Sequence, residues 1–143
     1  MTRNLLHICL FLMAFSIITL SCVDHDIPSE DPVIETGNAS GVSVPGGIDM
    51  NFRVSFKNLG SGKVITQYGI AYIPYTTDLP KDDITFDNPE AIFEAFTAPA
   101  ILGELTHSQA NFPHKGAIYY RAYASVNDQY IVYGEKKSYI LPQ

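Results

Sequence analysis

From about Asn38 onward, apolar and polar residues alternate in short runs broken by turn residues, and no stretch sustains a 3.6-residue repeat. That is the pattern of half-buried strands, in which successive side chains point to opposite faces. Residues 48–57 show it most plainly. Ile48, Met50, Phe52, Val54 and Phe56 share one face and polar residues take the other. Asn58-Leu59-Gly60-Ser61-Gly62 then reverses the chain, because Asn and Gly tolerate positive φ. A second strand covers residues 64–73, with Tyr68, Ile70 and Tyr72 on one face, and Pro74 ends its pairing.

A polar excursion follows from Tyr75 to Pro89. Residues 91–96 admit a helical or a strand pattern, since Ile92 and Phe96 suit a helix face while Ile92, Glu94 and Phe96 also alternate; we read an edge strand. Another alternating run begins at Ile101, Gly103 and Leu105 and ends near Phe112-Pro113. After the turn at His114-Lys115-Gly116, residues 118–124 place Ile118, Tyr120, Ala122 and Ala124 on one face and Tyr119, Arg121 and Tyr123 on the other. Asn127-Asp128 makes a hairpin turn, and residues 130–141 return as the last strand. Its facing is ambiguous, because Tyr133, Tyr139 and Leu141 share parity with Glu135 and Lys137 while Val132 and Ile140 lie opposite. Six or seven strands without a crossover helix predict an all-β fold, a single antiparallel two-sheet sandwich over residues 38–143.

The N-terminus has another character. Arg3, an apolar stretch of 16 residues from 5 to 20, and small residues before Cys22 have the three parts of a secretory signal. A spanning helix needs about 20 residues, so residues 1–21 read as an export signal rather than a membrane anchor. Thr19-Leu20-Ser21-Cys22 resembles the lipobox of bacterial lipoproteins, departing from it at Thr19. The resemblance implies lipidation of Cys22 and a membrane partner reached through that anchor, and several acyl chains hold a protein where one does not. Cys9 lies in the part to be removed, which leaves Cys22 as the one thiol of the mature chain and permits no intramolecular disulfide. Residues 22–37 then read as a lipidated cysteine and an acidic tether. Residues 23–35 hold five acids, two prolines and no Lys or Arg.

A family resemblance lies in the strands themselves. Tyr68-Gly69-Ile70-Ala71-Tyr72, residues 105–113, Tyr119-Tyr120-Arg121-Ala122-Tyr123-Ala124 and Tyr133-Gly134-Glu135 are similar to the fibronectin type III-like (immunoglobulin-like) modules of Bacteroidetes surface lipoproteins. The likeness spans roughly residues 33 to 141 and implies the sandwich fold and the outer membrane, with the acids after Cys22 resembling a signal for its outer leaflet; a periplasm-facing position is the alternative. Ile118 stands where such modules usually carry the tyrosine that clamps a corner, so that bond is absent or comes from Tyr120. Gln109 and Lys137 occupy positions expected to be apolar.

Composition narrows the function. Of 143 residues 46% are apolar and 17% charged, enough to bury a core. A net charge of −6 leaves no basic stripe for a phosphate backbone, which argues against nucleic acid as a partner. No metal or cofactor is implied: His107 and His114 have no second ligand at metal spacing, and Asp78, Asp82, Asp83, Asp87, Asn88 and Glu90 lack the spacing of a calcium loop. His107 and Ser108 are strand neighbours on opposite faces, there is no GxSxG, and no catalytic pair is placed for acid-base or covalent work, so the expectation is not an enzyme. All nine tyrosines lie beyond residue 67. Tyr119, Arg121 and Tyr123, on the outward face, are the candidate ligand-binding residues for a glycan or protein, although cross-strand tyrosines also stabilise a sheet with no ligand. The expectation is a surface binding or adhesion module. The alternative is a structural or assembly subunit pairing through a sandwich edge strand.

Overall fold

The computed structural model of the protein describes residues 29–75 and 84–143. The signal, Cys22 and residues 23–28 of the tether lie outside them. The described residues form nine strands and no helix: β1 (Val33–Thr36), β2 (Ser40–Val44), β3 (Gly47–Asn58), β4 (Ile65–Tyr75), β5 (Ile92–Ala95), β6 (Gly103–Gln109), β7 (Ala117–Val126), β8 (Tyr130–Tyr133) and β9 (Lys137–Ile140). All pairings are antiparallel, in two sheets.

The registers reduce nine strands to seven positions. β1 pairs with residues 54–58 of β3 and β2 with residues 47–51, while β6 takes residues 50–56 of the same strand. A strand has two edges, so β1 and β2 share one and form a single interrupted edge strand. By the same logic β8 and β9 share the edge of β7 opposite β4. One sheet therefore runs β1/β2-β3-β6 and the other β5-β4-β7-β8/β9. The chain crosses between them from β3 to β4, from β5 to β6 and from β6 to β7.

The inward faces are those that alternation predicts. Phe52 lies between the sheets with its ring centroid 6.2 Å from Tyr72, 5.9 Å from Phe112 and 6.1 Å from Tyr120. Phe56, Tyr68 and Phe96 continue the core toward the end where the chain enters. The core begins earlier than the sequence suggests. Residues 33–36, which we placed in the tether, form β1 and bury Ile34 and Thr36, moving the domain boundary to Val33.

The interruptions carry the polar chemistry that closes the sandwich. From Tyr123 to Tyr120 is three residues on β7, but their partners Tyr133 and Lys137 are four apart, so one extra residue bulges out at 134–136. The bulge reverses parity. Val132 before it and Tyr139 after it both face the core, which resolves the ambiguous facing of the last strand. Thr36 fills the gap: its hydroxyl donates to Glu135 O at 2.6 Å and accepts from Ala122 N at 2.9 Å. A Cβ on Gly134 would lie 2.5 Å from that hydroxyl, so the glycine of Tyr133-Gly134-Glu135 is there for close approach. One strand over, the Tyr120 hydroxyl donates to Gly37 O at 3.2 Å and accepts from Ala39 N at 2.9 Å. Tyr139 accepts from Gly41 N at 2.7 Å. Ile118 is fully buried, and the backbone clamp comes from Tyr120.

Gly69 meets a similar demand on β4, where a Cβ would stand 2.0 Å from Glu94 O. Gly69→Ala is therefore expected to push β5 off the sheet and lower stability by about 1–2 kcal/mol. Hydrogen exchange should report it as lost protection at residues 92–96, with β3 and β7 unchanged.

Candidate functional site

β7 directs Tyr119, Arg121 and Tyr123 away from the core, as the alternation predicts, onto the outer face of the second sheet. That face is not open. Residues 84–91 fold back across it, and Ile84 and Ala91 join Phe93 of β5, Ala71 and Ile73 of β4 and Ile131 and Tyr133 of β8 in a second apolar cluster. Tyr123 sits at its centre, 2% exposed, with the Phe93 ring edge-on at 5.0 Å. Its hydroxyl is buried without a hydrogen-bond partner. Burial, with a smaller contribution from the Glu94 carboxylate, pushes its pKa up to about 12.

Arg121 is engaged too. Its Nε donates to Gly134 O at 3.0 Å, holding the bulge, and its guanidinium lies 4.4 Å from the centroid of the Tyr133 ring. The Tyr133 hydroxyl accepts in turn from Phe86 N at 2.9 Å, so Arg121 and Tyr133 fasten the returning segment to the sheet. Tyr119 alone of the three presents ring surface. It stacks on Tyr75 with centroids 4.5 Å apart and planes 15° apart, both rings half-buried. Burial, and a hydrogen bond that the Tyr75 hydroxyl donates to Tyr119, raise the pKa of Tyr75.

No family model, curated protein or solved structure matches the chain. The site must be judged on its geometry.

That geometry brings Tyr119 and Arg121 together with Tyr75 and Tyr133, and covers Tyr123. Tyr75, Ile84, Phe93 and Tyr133 are not among the residues that the alternation marks as a candidate site. A signal was present in β4: residues 68–73 are apolar or small on both faces apart from the tyrosine hydroxyls, and a strand apolar on both faces is covered on both. A shallow cavity of about 280 Å³ opens beside the cluster between Gln67, Phe86, Asp128 and Tyr130.

The histidines have structural partners. His107 Nε2 is 3.3 Å from Glu94 Oε1 and its ring stacks on Phe96 at 4.9 Å, tying edge strand β6 to edge strand β5. His114 packs edge-on against Tyr72 and Phe112, and burial pushes its pKa down. Among the described residues no three His, Cys, Asp or Glu side chains are grouped to hold a metal ion. Asp78, Asp82 and Asp83 lie outside those residues. Asn88 instead organises a turn, its side chain accepting from Glu90 N and its backbone bonding to Thr85 O.

Proposed function

We propose that the chain is a lipid-anchored cell-envelope protein whose fibronectin type III-like sandwich is a non-enzymatic surface binding module, held at the outer membrane through Cys22. The three-against-four strand arrangement with its crossings supports the fold assignment. The lipobox-like residues 19–22 and the acids behind them support the anchor.

One observation carries the binding reading: the stacked Tyr75–Tyr119 pair stands at the end of the sandwich opposite the entering chain. The chain enters at Val33, beside Asn58; β4 leaves that end at Ile65 and reaches the other at Tyr75, next to Ala117. Two parallel rings presented away from the anchor offer flat apolar surface with hydroxyls at the rim. Such surface suits the apolar face of a sugar or a peptide side chain.

Intact mass and protease shaving of whole cells test the anchor. The wild type is expected to yield an acylated chain beginning at Cys22 that is cleaved on intact cells, and Cys22→Ala an unacylated one released from the membrane. A wild-type chain protected until the envelope is opened overturns the surface position. For the module, Tyr75→Ala and Tyr119→Ala are expected to weaken capture of arrayed glycans or peptides about 10-fold each, given ~1–2 kcal/mol per stacking ring. Undiminished capture of a protein by both variants moves the function to edge-strand pairing.

A further inference from the structure

The end of the sandwich where the chain enters has a feature that a spacer-held domain does not need. Four of its residues are large, apolar and exposed: Val33 at 49%, Val64 at 62%, Ile101 at 53% and Leu102 at 63%. The registers put them at one end. Val33 pairs with Asn58 at the end of β3; Ile101 and Leu102 lead into Gly103, which pairs with Phe56; Val64 precedes β4, and its backbone bonds to Asn127 of the β7–β8 hairpin.

The chain arrives at this end already docked. Asn58 Nδ2 donates to Glu30 at 2.7 Å, Tyr130 donates to Asp31, and Lys63 lies 3.9 Å from the same carboxylate. Glu30 and Pro32 press on Gly60, whose φ of +84° and lack of Cβ make room for them. Seven peptide links separate Ser29 from Cys22, so in any conformation they span at most roughly 25 Å. The sandwich is longer than that, since the 12 residues of β3 alone extend about 40 Å. An acylated Cys22 therefore keeps this end within a short leash of the bilayer.

We propose that this end docks on the lipid bilayer, with Ile101, Leu102, Val64 and Val33 seated at the headgroup layer. The inference rests on lipidation at Cys22, which supplies the nearness; the exposed side chains supply the contact. A short leash makes the second contact intramolecular, so weak apolar insertion suffices. Three of the acids nearby are engaged within the protein, Glu30 by Asn58, Asp31 by Tyr130 and Lys63, and Glu104 by Arg53 at 3.7 Å. Docking orients the domain, leaving Tyr75 and Tyr119 pointing into the medium.

The chain contains no tryptophan, so a single introduced one reports its own surroundings. The full acylated chain carrying Leu102→Trp, Val64→Trp or, at the far end, Val42→Trp is reconstituted into phosphatidylcholine vesicles with brominated acyl chains. Val42 is 61% exposed, so all three positions tolerate the ring. Blue-shifted emission and at least about twofold stronger quenching at 102 and 64 than at 42 is the expected result, for side chains reaching the acyl boundary. Equal quenching at all three positions, in chains whose mass shows acylation and which float with the vesicles, overturns the docking and leaves the anchor standing. Chains without acyl mass that fail to float overturn both.

Discussion

Thr36→Val is expected to destabilise the domain by about 2–4 kcal/mol, although it exchanges a hydroxyl for a methyl of nearly the same size. Thr36 is 2% exposed, and its hydroxyl is the partner of both Glu135 O and Ala122 N. A methyl leaves the buried Ala122 N–H and the part-buried Glu135 carbonyl unpaired at once, and the N–H has no water to turn to. Thr36→Ser keeps both bonds and loses one methyl, so about 1 kcal/mol is expected. Urea unfolding checks this as a lower midpoint at unchanged slope, in the order wild type, Ser, Val. Equal losses for Ser and Val would show that the methyl packing, rather than the hydroxyl, closes the sandwich.

That corner also shows what the sequence made legible. β3, the core half of β4 and the inward face of β7 follow from alternation alone, because one-sided burial writes itself into every second residue. The bulge at 134–136 left no such mark. It is an insertion of one position defined by a partner strand, so Val132 and Tyr139 look out of phase until β7 is placed beside them. Thr36 was unreadable for a similar reason, since a lone threonine in an acidic, proline-containing stretch resembles linker until it is seen in the bulge. Gly69 and Gly134 stood out through their resemblance to a family pattern, and the structure gives the cause in contacts of 2.0 and 2.5 Å that any side chain would make.

The candidate site was legible in direction but not in exposure. Parity placed Tyr119, Arg121 and Tyr123 on the outer face, yet parity says nothing of what lies over that face. Residues 84–91 cover it through scattered side chains, Ile84 and Ala91 beside Phe93 of β5, with no period that marks them as a sheet's partner. In the proposed binding module labour divides along β7: Tyr123 and Arg121 fasten the returning segment, and Tyr119, next to Tyr75, is the residue proposed to meet a ligand.

Raising the pH beyond about 10 is expected to unfold the domain steeply, with Tyr123 the largest contributor. Its pKa of about 12 in the fold, against 10.0 ordinarily, means that below pH 10 the hydroxyl is protonated in both states and contributes no pH dependence. Between the two values the unfolded chain has released the proton and the folded chain still holds it, so stability falls by about 1.4 kcal/mol per pH unit, or roughly 3 kcal/mol by pH 12. Tyr68, Tyr72 and Tyr120, raised by burial as well, add in the same direction. Tyr123→Phe removes both the titration and an unpartnered buried hydroxyl, so it is expected to gain about 1 kcal/mol at neutral pH and to flatten the alkaline limb. Urea midpoints between about pH 8 and pH 12 for both proteins check this, beside the ultraviolet titration of tyrosinate. The result bears on the site, because the high pKa comes from burial under residues 84–91 and Phe93. A Tyr123 that ionises near 10, with a variant as pH-sensitive as the wild type, would show that the cover opens in solution, and Tyr123 would then rejoin Tyr119 as surface that a ligand can reach.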